Sequence, residues 1–287
     1  MKVLVAGCGY VGTELARRLR RSGHEVFGLR RDVTALPAGV VPVAADLERP
    51  ETLVDLPRGI DHVVFCAGAR QSDENAYRSI YVAGLSNLIE ALRVAGAPVR
   101  RLLFTSSTAV YAQSDGEDVD EDSITAPTHF SGRRLLEAER LLAGSGLHGI
   151  VLRLAGIYGP ERAGLVARVA RGTARYSEPP RFTNRIHRDD CAGAIEHLLF
   201  HPDPEPLYVG ADEDPADERT VLEWLAAELG TPAPSPGESP ARSDRPMSSK
   251  RCRSYRLLRS GYSFAFPSFR AGYRALLGEF ATGVEPR

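Results

Sequence analysis

Three glycines near the start of the chain, Gly7, Gly9 and Gly12, stand in V-L-V-A-G-C-G-Y-V-G, an apolar run from Val3 followed by G-x-G-x-x-G. Each has a separate task in a site for a pyrophosphate. Gly7 permits a tight turn, Gly9 lets the backbone approach the anion, and Gly12 allows a helix to pack closely on the strand. Tyr10 and Val11 complete the turn and open that helix, whose first N–H groups lack intrahelical partners and so suit a phosphate. A glycine turn serving packing alone is the competing reading. The strand before and the helix after favour dinucleotide binding.

About twenty residues farther on, a site of this type has an acidic residue that holds the ribose 2′-hydroxyl. Here G-H-E-V-F-G-L-R-R puts Arg30 and Arg31 at that point. A planar guanidinium forks onto a 2′-phosphate and stacks on adenine, so the expected cofactor is NADP(H) in preference to NAD(H). Arginines merely solvated at a strand end are the alternative. Asp46 and Leu47 close the third strand-like run, where the carboxylate fits either beside the adenine or in a turn. Ala67 and Gly68 close the fourth, small enough for cofactor to pass or simply a turn.

These residues need a frame, and the sequence supplies one. β-rich runs at Lys2–Ala6, Glu25–Leu29, Val40–Ala44, His62–Cys66, Arg101–Thr105 and Gly149–Leu154 alternate with helix-period segments such as Val11–Ser22 and Tyr77–Ala95. That alternation predicts an α/β fold, a Rossmann-type doubly wound parallel sheet, over residues 1–155. Gly23 and Gly96 read as helix C-caps. Residues 156–287 read as a smaller C-terminal substrate lobe, with helices at Ala163–Gly172, Asp189–Phe200 and Arg219–Gly230, and with strands free to interleave with the first domain. The stretch Thr231–Ser249, crowded with Pro, Ser and Gly, predicts a mobile loop.

Composition narrows the function. With 36 basic and 37 acidic residues among 287, a charge of −1 offers no broad footprint for nucleic acid. Cys8, Cys66, Cys191 and Cys252 are far apart, which argues against a disulfide or zinc framework and for a reducing compartment. No run approaches the roughly 18 apolar residues of a membrane helix, so a soluble cytoplasmic protein with a small-molecule substrate is expected, and a homodimer is compatible with it.

Beyond the glycine loop, L-F-T-S-S-T-A-V-Y (Leu103–Tyr111), L-R-L-A-G-I-Y-G-P (Leu152–Pro160), R-I-H-R-D-D (Arg185–Asp190) and L-Y-V-G-A-D (Leu207–Asp212) occur in order. With these the chain resembles, over nearly its whole length, the extended short-chain dehydrogenase/reductases, the NAD(P)-dependent epimerase/dehydratase family. The resemblance implies a strand hydroxyl facing the nicotinamide, carried over to Ser107 with Thr108 beside it; two hydroxyls capping backbone is the other reading. It also implies a helical Tyr-x-x-x-Lys pair that relays the proton.

That pair is missing. The corresponding stretch is P-T-H-F-S-G-R-R-L-L-E-A-E, where Ser131 and Leu135, or with a one-residue slip Phe130 and Arg134, take the two positions. Only Lys2 and Lys250 exist, and Pro246 stands four residues before Lys250. Tyr81 occupies the position where relatives usually carry an Asn. It is either a replacement acid or a phenol packed between helix and sheet. The chain thus resembles an atypical subgroup that keeps the cofactor loop and loses the Tyr and Lys.

Other clusters read as structural first. His187 and Asp190 open a helix, with capping the main expectation and proton transfer by His187 the lesser. His197 and His201 have ligand spacing, but no further ligands accompany them and no metal is expected. Arg181, Arg185, Arg251, Arg253, Arg256 and Arg259 could face an anionic substrate such as a nucleotide sugar, or form a solvated surface; the acidic run Asp115–Asp122 reads as an exposed loop. Three functions follow: an NADP(H)-dependent oxidoreductase or epimerase/dehydratase on a polar, nucleotide-sugar-like substrate, a non-catalytic NADP(H) sensor, and an assembly protein with a vestigial loop.

Overall fold

The computed structural model describes residues 1–237 and 248–281. Val3, Leu4, Val5 and Ala6 are completely buried, as an unbroken apolar run must be when a strand is covered on both faces. They lie in β1 (Lys2–Ala6) of a seven-stranded parallel sheet. Its other members are β2 (Glu25–Arg30), β3 (Val41–Ala44), β4 (His62–Phe65), β5 (Arg101–Ser107), β6 (Gly149–Leu154) and β7 (Leu207–Gly210). Six are the expected runs. The order is β7-β6-β5-β4-β1-β2-β3. From β1 the chain builds outward through β2 and β3, then returns to add β4, β5 and β6 on the other side. The order therefore reverses between β1 and β4, and ligands of such sheets bind outside the carboxyl ends of the strands at that point. Gly7 and Ala67 follow these two strands.

Helix α1 (Tyr10–Arg21) buries Leu15, Ala16 and Leu19 and ends in Arg18, Arg20 and Arg21, which complement its negative end. Gly23, at φ 82°, closes it: the Gly23 and His24 amides donate to the Arg20 and Leu19 carbonyls. The single helix expected over Tyr77–Ala95 is instead α2 (Glu74–Tyr77), a π turn (Arg78–Ala83) and α3 (Gly84–Val94). Nothing in apolar spacing signals the extra residue of a π turn, and such turns cluster at functional sites. Helix α4 (Phe130–Ala143) presents Leu135, Ala138 and Leu142 to the core.

By its contacts the chain forms two compact units. One comprises residues 1–110, 125–153 and 191–208, the other residues 111–124, 154–190 and the described residues from Val209 onward. The second has its own core of Val166, Val169, Leu222, Leu225, Phe269 and Tyr273. In it the acidic run is not simply a loop. Glu117–Val119 pairs in parallel with Lys250–Cys252, and Asp118 and Asp122 bind Arg251, Arg253 and Arg256. Of the segment Thr231–Ser249, residues 238–247 lie outside the described residues. On its flanks, Ser235–Pro236 pairs with Arg175–Tyr176, and Ser249 Oγ accepts from the Phe182 amide at 3.1 Å. Among the described residues no helix is long and apolar enough to cross a membrane.

Asp212 in this unit is 2% exposed, and the Asp214 amide compensates its carboxylate only in part. Burial pushes its acid up to about 8, against the pull of the Arg185 guanidinium. The folded chain therefore binds this proton more tightly than the unfolded chain, whose carboxyl titrates near ~4. The resulting sign is a loss of stability as pH rises from about 4 to about 8, level beyond. Asp212→Asn keeps the shape without the charge. Its melting temperature is expected to exceed that of the parent by several degrees at about pH 9 and to match it at about pH 4. A melt at high pH no better than the parent's would mean that the carboxylate is compensated.

Candidate functional site

The loop after β1 is pinned to the end of β2: the Gly7 and Cys8 amides both donate to the Leu29 carbonyl, at 3.0 and 3.1 Å. Gly7 takes φ 93°, and a Cβ there would lie 2.3 Å from the Ala67 nitrogen. Only glycine fits, on both counts. Gly12 is equally constrained, since a Cβ would lie 2.6 Å from the Gly7 carbonyl oxygen and 2.9 Å from Cys66 Sγ. Gly9 differs. A Cβ there would meet nothing nearer than the Gly7 oxygen at 3.9 Å, so protein packing does not require glycine at this position. It opens on space beside the start of α1, which no side chain caps and whose first turn holds no acid. A cradle kept clear at a helix N-terminus suits an anion, and the residues fit the diphosphate of a nicotinamide dinucleotide. The neighbouring thiols are inert, since burial pushes Cys8 and Cys66 up.

At the carboxyl end of β2, Arg30 is half-buried and donates from Nη1 to the Cys8 carbonyl at 3.1 Å, so its guanidinium lies over the loop. Arg31 is exposed, with Nη1 3.8 Å from Glu48 and 3.9 Å from Asp46. Ion pairs this long and this exposed hold an arginine weakly and leave it able to turn to a phosphate. Asp46 accepts from the Glu48 amide at 3.1 Å, forming an Asx turn, and its own amide donates to Thr52 Oγ1. Leu47 is buried, with its carbonyl accepting from Asn87.

Ser107 ends β5 and is half-buried, its Oγ accepting from the Ala109 amide at 3.2 Å in the turn Thr108–Val110. A hydroxyl accepting in this way still has its proton to donate. Tyr81 sits in the π turn, and its hydroxyl lies 3.8 Å from where a Cβ on Gly68 would be, at the end of β4. Burial, and after it the neighbouring Tyr77, push the phenol up to about 12, while the Ala69 amide acts the other way. Tyr81 therefore stays protonated through the neutral range, as a hydrogen-bond donor requires.

Around Tyr81 the structure brings together Tyr77, which the sequence did not mark, and Phe130, which it marked only as a position of the missing pair. Tyr77 lies between Tyr81 and Phe130, with ring centroids 5.1 and 5.3 Å away. The i, i+4 spacing of Tyr77 and Tyr81 was visible; contact with Phe130 was not. Of the positions of the missing pair, Leu135 is buried in the core, Ser131 bonds His129, and Arg134 binds Glu74 and Glu137. Beneath them, Glu139 accepts from Ser106 Oγ at 2.6 Å and from Arg153 Nε and Nη2 at 3.1 and 2.7 Å, all three residues buried. This network joins β5, α4 and β6.

In the second unit, His187 packs on Phe266 at 3.9 Å and is pushed down by burial. Asp190 accepts from the Tyr262 hydroxyl and the Ala265 and Phe266 amides. Arg181 bonds Ser177, and Arg185 bonds Thr183.

A sheet that reverses order at a glycine loop, with small residues after the next strand, defines a dinucleotide-binding Rossmann domain. Residues 3–206 match the sequence model of the NAD dependent epimerase/dehydratase family, and the chain belongs to that family. It is 34% identical to a 3-diazoavenalumate denitrifying reductase from Streptomyces sp, over 82% of this chain and 83% of that one. It is 31% identical to a UDP-glucose 4-epimerase from Streptomyces lividans, over 52% of this chain and 48% of that one. A solved structure from Methylobacillus flagellatus, assigned to the NAD-dependent epimerase/dehydratases, superposes with a TM-score of 0.82 at 40% identity, covering 98% of each chain. The chain is thus of the NAD(P)-dependent oxidoreductase type, with a nicotinamide dinucleotide as its cofactor.

Proposed function

We propose that the chain is an NADP(H)-dependent reductase of a small organic substrate, with Gly7, Gly9, Tyr10, Val11 and Gly12 seating the diphosphate and Arg30 and Arg31 holding the 2′-phosphate. Leu47, Ala67 and Gly68 shape the cofactor channel, and Asp46 steadies the adenine end. The carrying observation is the pairing of an open cradle at Gly9 with Arg30 and Arg31 at the end of β2, while Asp32 beyond them is turned to the Thr34 amide. The bound nicotinamide would supply a hydride. The chain's own part is to exclude water and to present donors, Ser107, Thr108 and Tyr81, to the atom that gains charge.

Two facts favour reduction over epimerisation. An epimerase must remove and return a proton on each cycle, and Ser131 and Leu135 offer no relay for it. The reductase from Streptomyces sp aligns over four-fifths of this chain and the epimerase over about half. A nucleotide-sugar substrate loses support where Arg251, Arg253 and Arg256 pair with Asp118 and Asp122. The same missing relay favours a second reading, an NADP(H) sensor without turnover.

Oxidation of NADPH in the presence of a panel of carbonyl compounds separates the two. Tyr81→Phe is expected to lower kcat by roughly a hundredfold, the scale of one positioned proton donor, while NADPH affinity stays unchanged. An unaltered kcat would remove Tyr81 from the chemistry, and no turnover on any member of the panel would favour the sensor.

A further inference from the structure

The aromatic cluster beside Ser107 points to a substrate class. Where a sugar site would need convergent hydrogen-bonding groups, the first unit gathers rings. Tyr77 and Tyr81 meet at 5.1 Å with planes inclined by 53°, Tyr77 and Phe130 at 5.3 Å edge to face, and His129 and Phe130 at 4.1 Å. All four side chains keep part of their surface exposed. Their polar neighbours are engaged with one another, His129 Nδ1 lying 2.8 Å from Ser131 Oγ.

The cluster's place is fixed by three close contacts within the unit. A Cβ on Gly132 would lie 2.3 Å from the Ala109 carbonyl oxygen, so the first turn of α4, with Phe130 and Ser131, rests directly on the turn that follows Ser107. Arg134 donates to Glu74 at 2.7 Å and clamps that turn to the one carrying Tyr77. The Tyr81 hydroxyl sits at Gly68, at the ligand-binding end of β4. The rings therefore border the same strand ends as the candidate donors.

We infer that Tyr77, Tyr81 and Phe130 receive a flat, conjugated ring of the substrate, so that the chain acts on an aryl or aryl-conjugated compound. Offset and edge-to-face contacts with such rings add attraction beyond simple apolar burial. The inference rests on the oxidoreductase reading for its placement, but ring binding is measurable without turnover.

The test uses the full chain, alone and saturated with NADP⁺, and ligand-detected NMR with calorimetry. The probes are trans-cinnamate, cyclohexanepropionate of similar size, and UDP-glucose. Saturable binding is expected for cinnamate, roughly tenfold tighter than for cyclohexanepropionate. Phe130→Leu should weaken cinnamate by about tenfold and Phe130→Tyr restore it, with NADP⁺ affinity unchanged in both. If Phe130→Leu fails to fold, Tyr77→Leu gives the same reading from the other helix. Absence of cinnamate binding, equal binding of the cyclohexyl acid, tighter binding of UDP-glucose, or indifference to both ring substitutions overturns the inference. Failure of NADP⁺ to bind, with cinnamate still bound, would instead strike the cofactor reading.

Discussion

Gly9→Val abolishes dinucleotide binding and leaves the chain folded. The contrast among the three loop glycines makes this a sharp expectation. At Gly7 a side chain would collide with the Ala67 backbone at 2.3 Å in a left-handed conformation, so Gly7→Ala costs the fold as well as the ligand. At Gly9 the nearest protein atom to a new Cβ is 3.9 Å away, and a valine would fill the space proposed for the diphosphate. Charge-assisted hydrogen bonds contribute about 1.5–3 kcal/mol each, so losing two weakens binding by at least ~100-fold. The melting temperature of the ligand-free protein should fall by no more than a few degrees. If the valine variant binds NADPH as the parent does, the cradle lies elsewhere.

Arg153→Met gives a large expected loss of stability. Glu139 is buried and receives three hydrogen bonds, two from Arg153 and one from Ser106. Removing the guanidinium strands a carboxylate in the core, a change that costs about 3–5 kcal/mol. For a chain of this size that corresponds to a fall in Tm of roughly 10 °C. The double variant Glu139→Gln, Arg153→Met carries no stranded charge and should regain at least half of that loss in thermal melts. The network joins the strand ending in Ser107 to the helix starting at Phe130, so the single variant should also disorder the candidate donors. A single variant as stable as the double would show that the ion pair is not what holds these elements.

The sheet was legible because its strands are buried on both faces. V-L-V-A at Val3–Ala6 and H-V-V-F at His62–Phe65 have few alternatives in a chain this length. The glycine loop was legible for a different reason, since Gly7 and Gly12 answer local steric demands that spacing exposes, whereas Gly9 answers none within the protein. What could not be read depends on distant partners. Glu139 looks like one more surface charge on α4 until Arg153 and Ser106 are placed against it. Arg251, Arg253 and Arg256 suggest a free anion site until Asp118 and Asp122 are found opposite them. The π turn that carries Tyr81 inserts one residue per turn into a helix pattern, which apolar spacing over so short a stretch cannot register. Phe130 joins Tyr77 through the seating of Gly132 on Ala109 and the Arg134–Glu74 pair, contacts across more than twenty residues of sequence.

Gly7, Gly9 and Gly12 are expected to seat a diphosphate while Arg30 and Arg31 grip the phosphate on the adenosine ribose. Calorimetric titration of the same protein with NADPH and with NADH measures it directly. One site per chain is expected, with NADPH bound at least about tenfold tighter and that preference lost in the Arg30→Ala, Arg31→Ala variant. Equal or tighter binding of NADH, or no heat with either nucleotide, would contradict it.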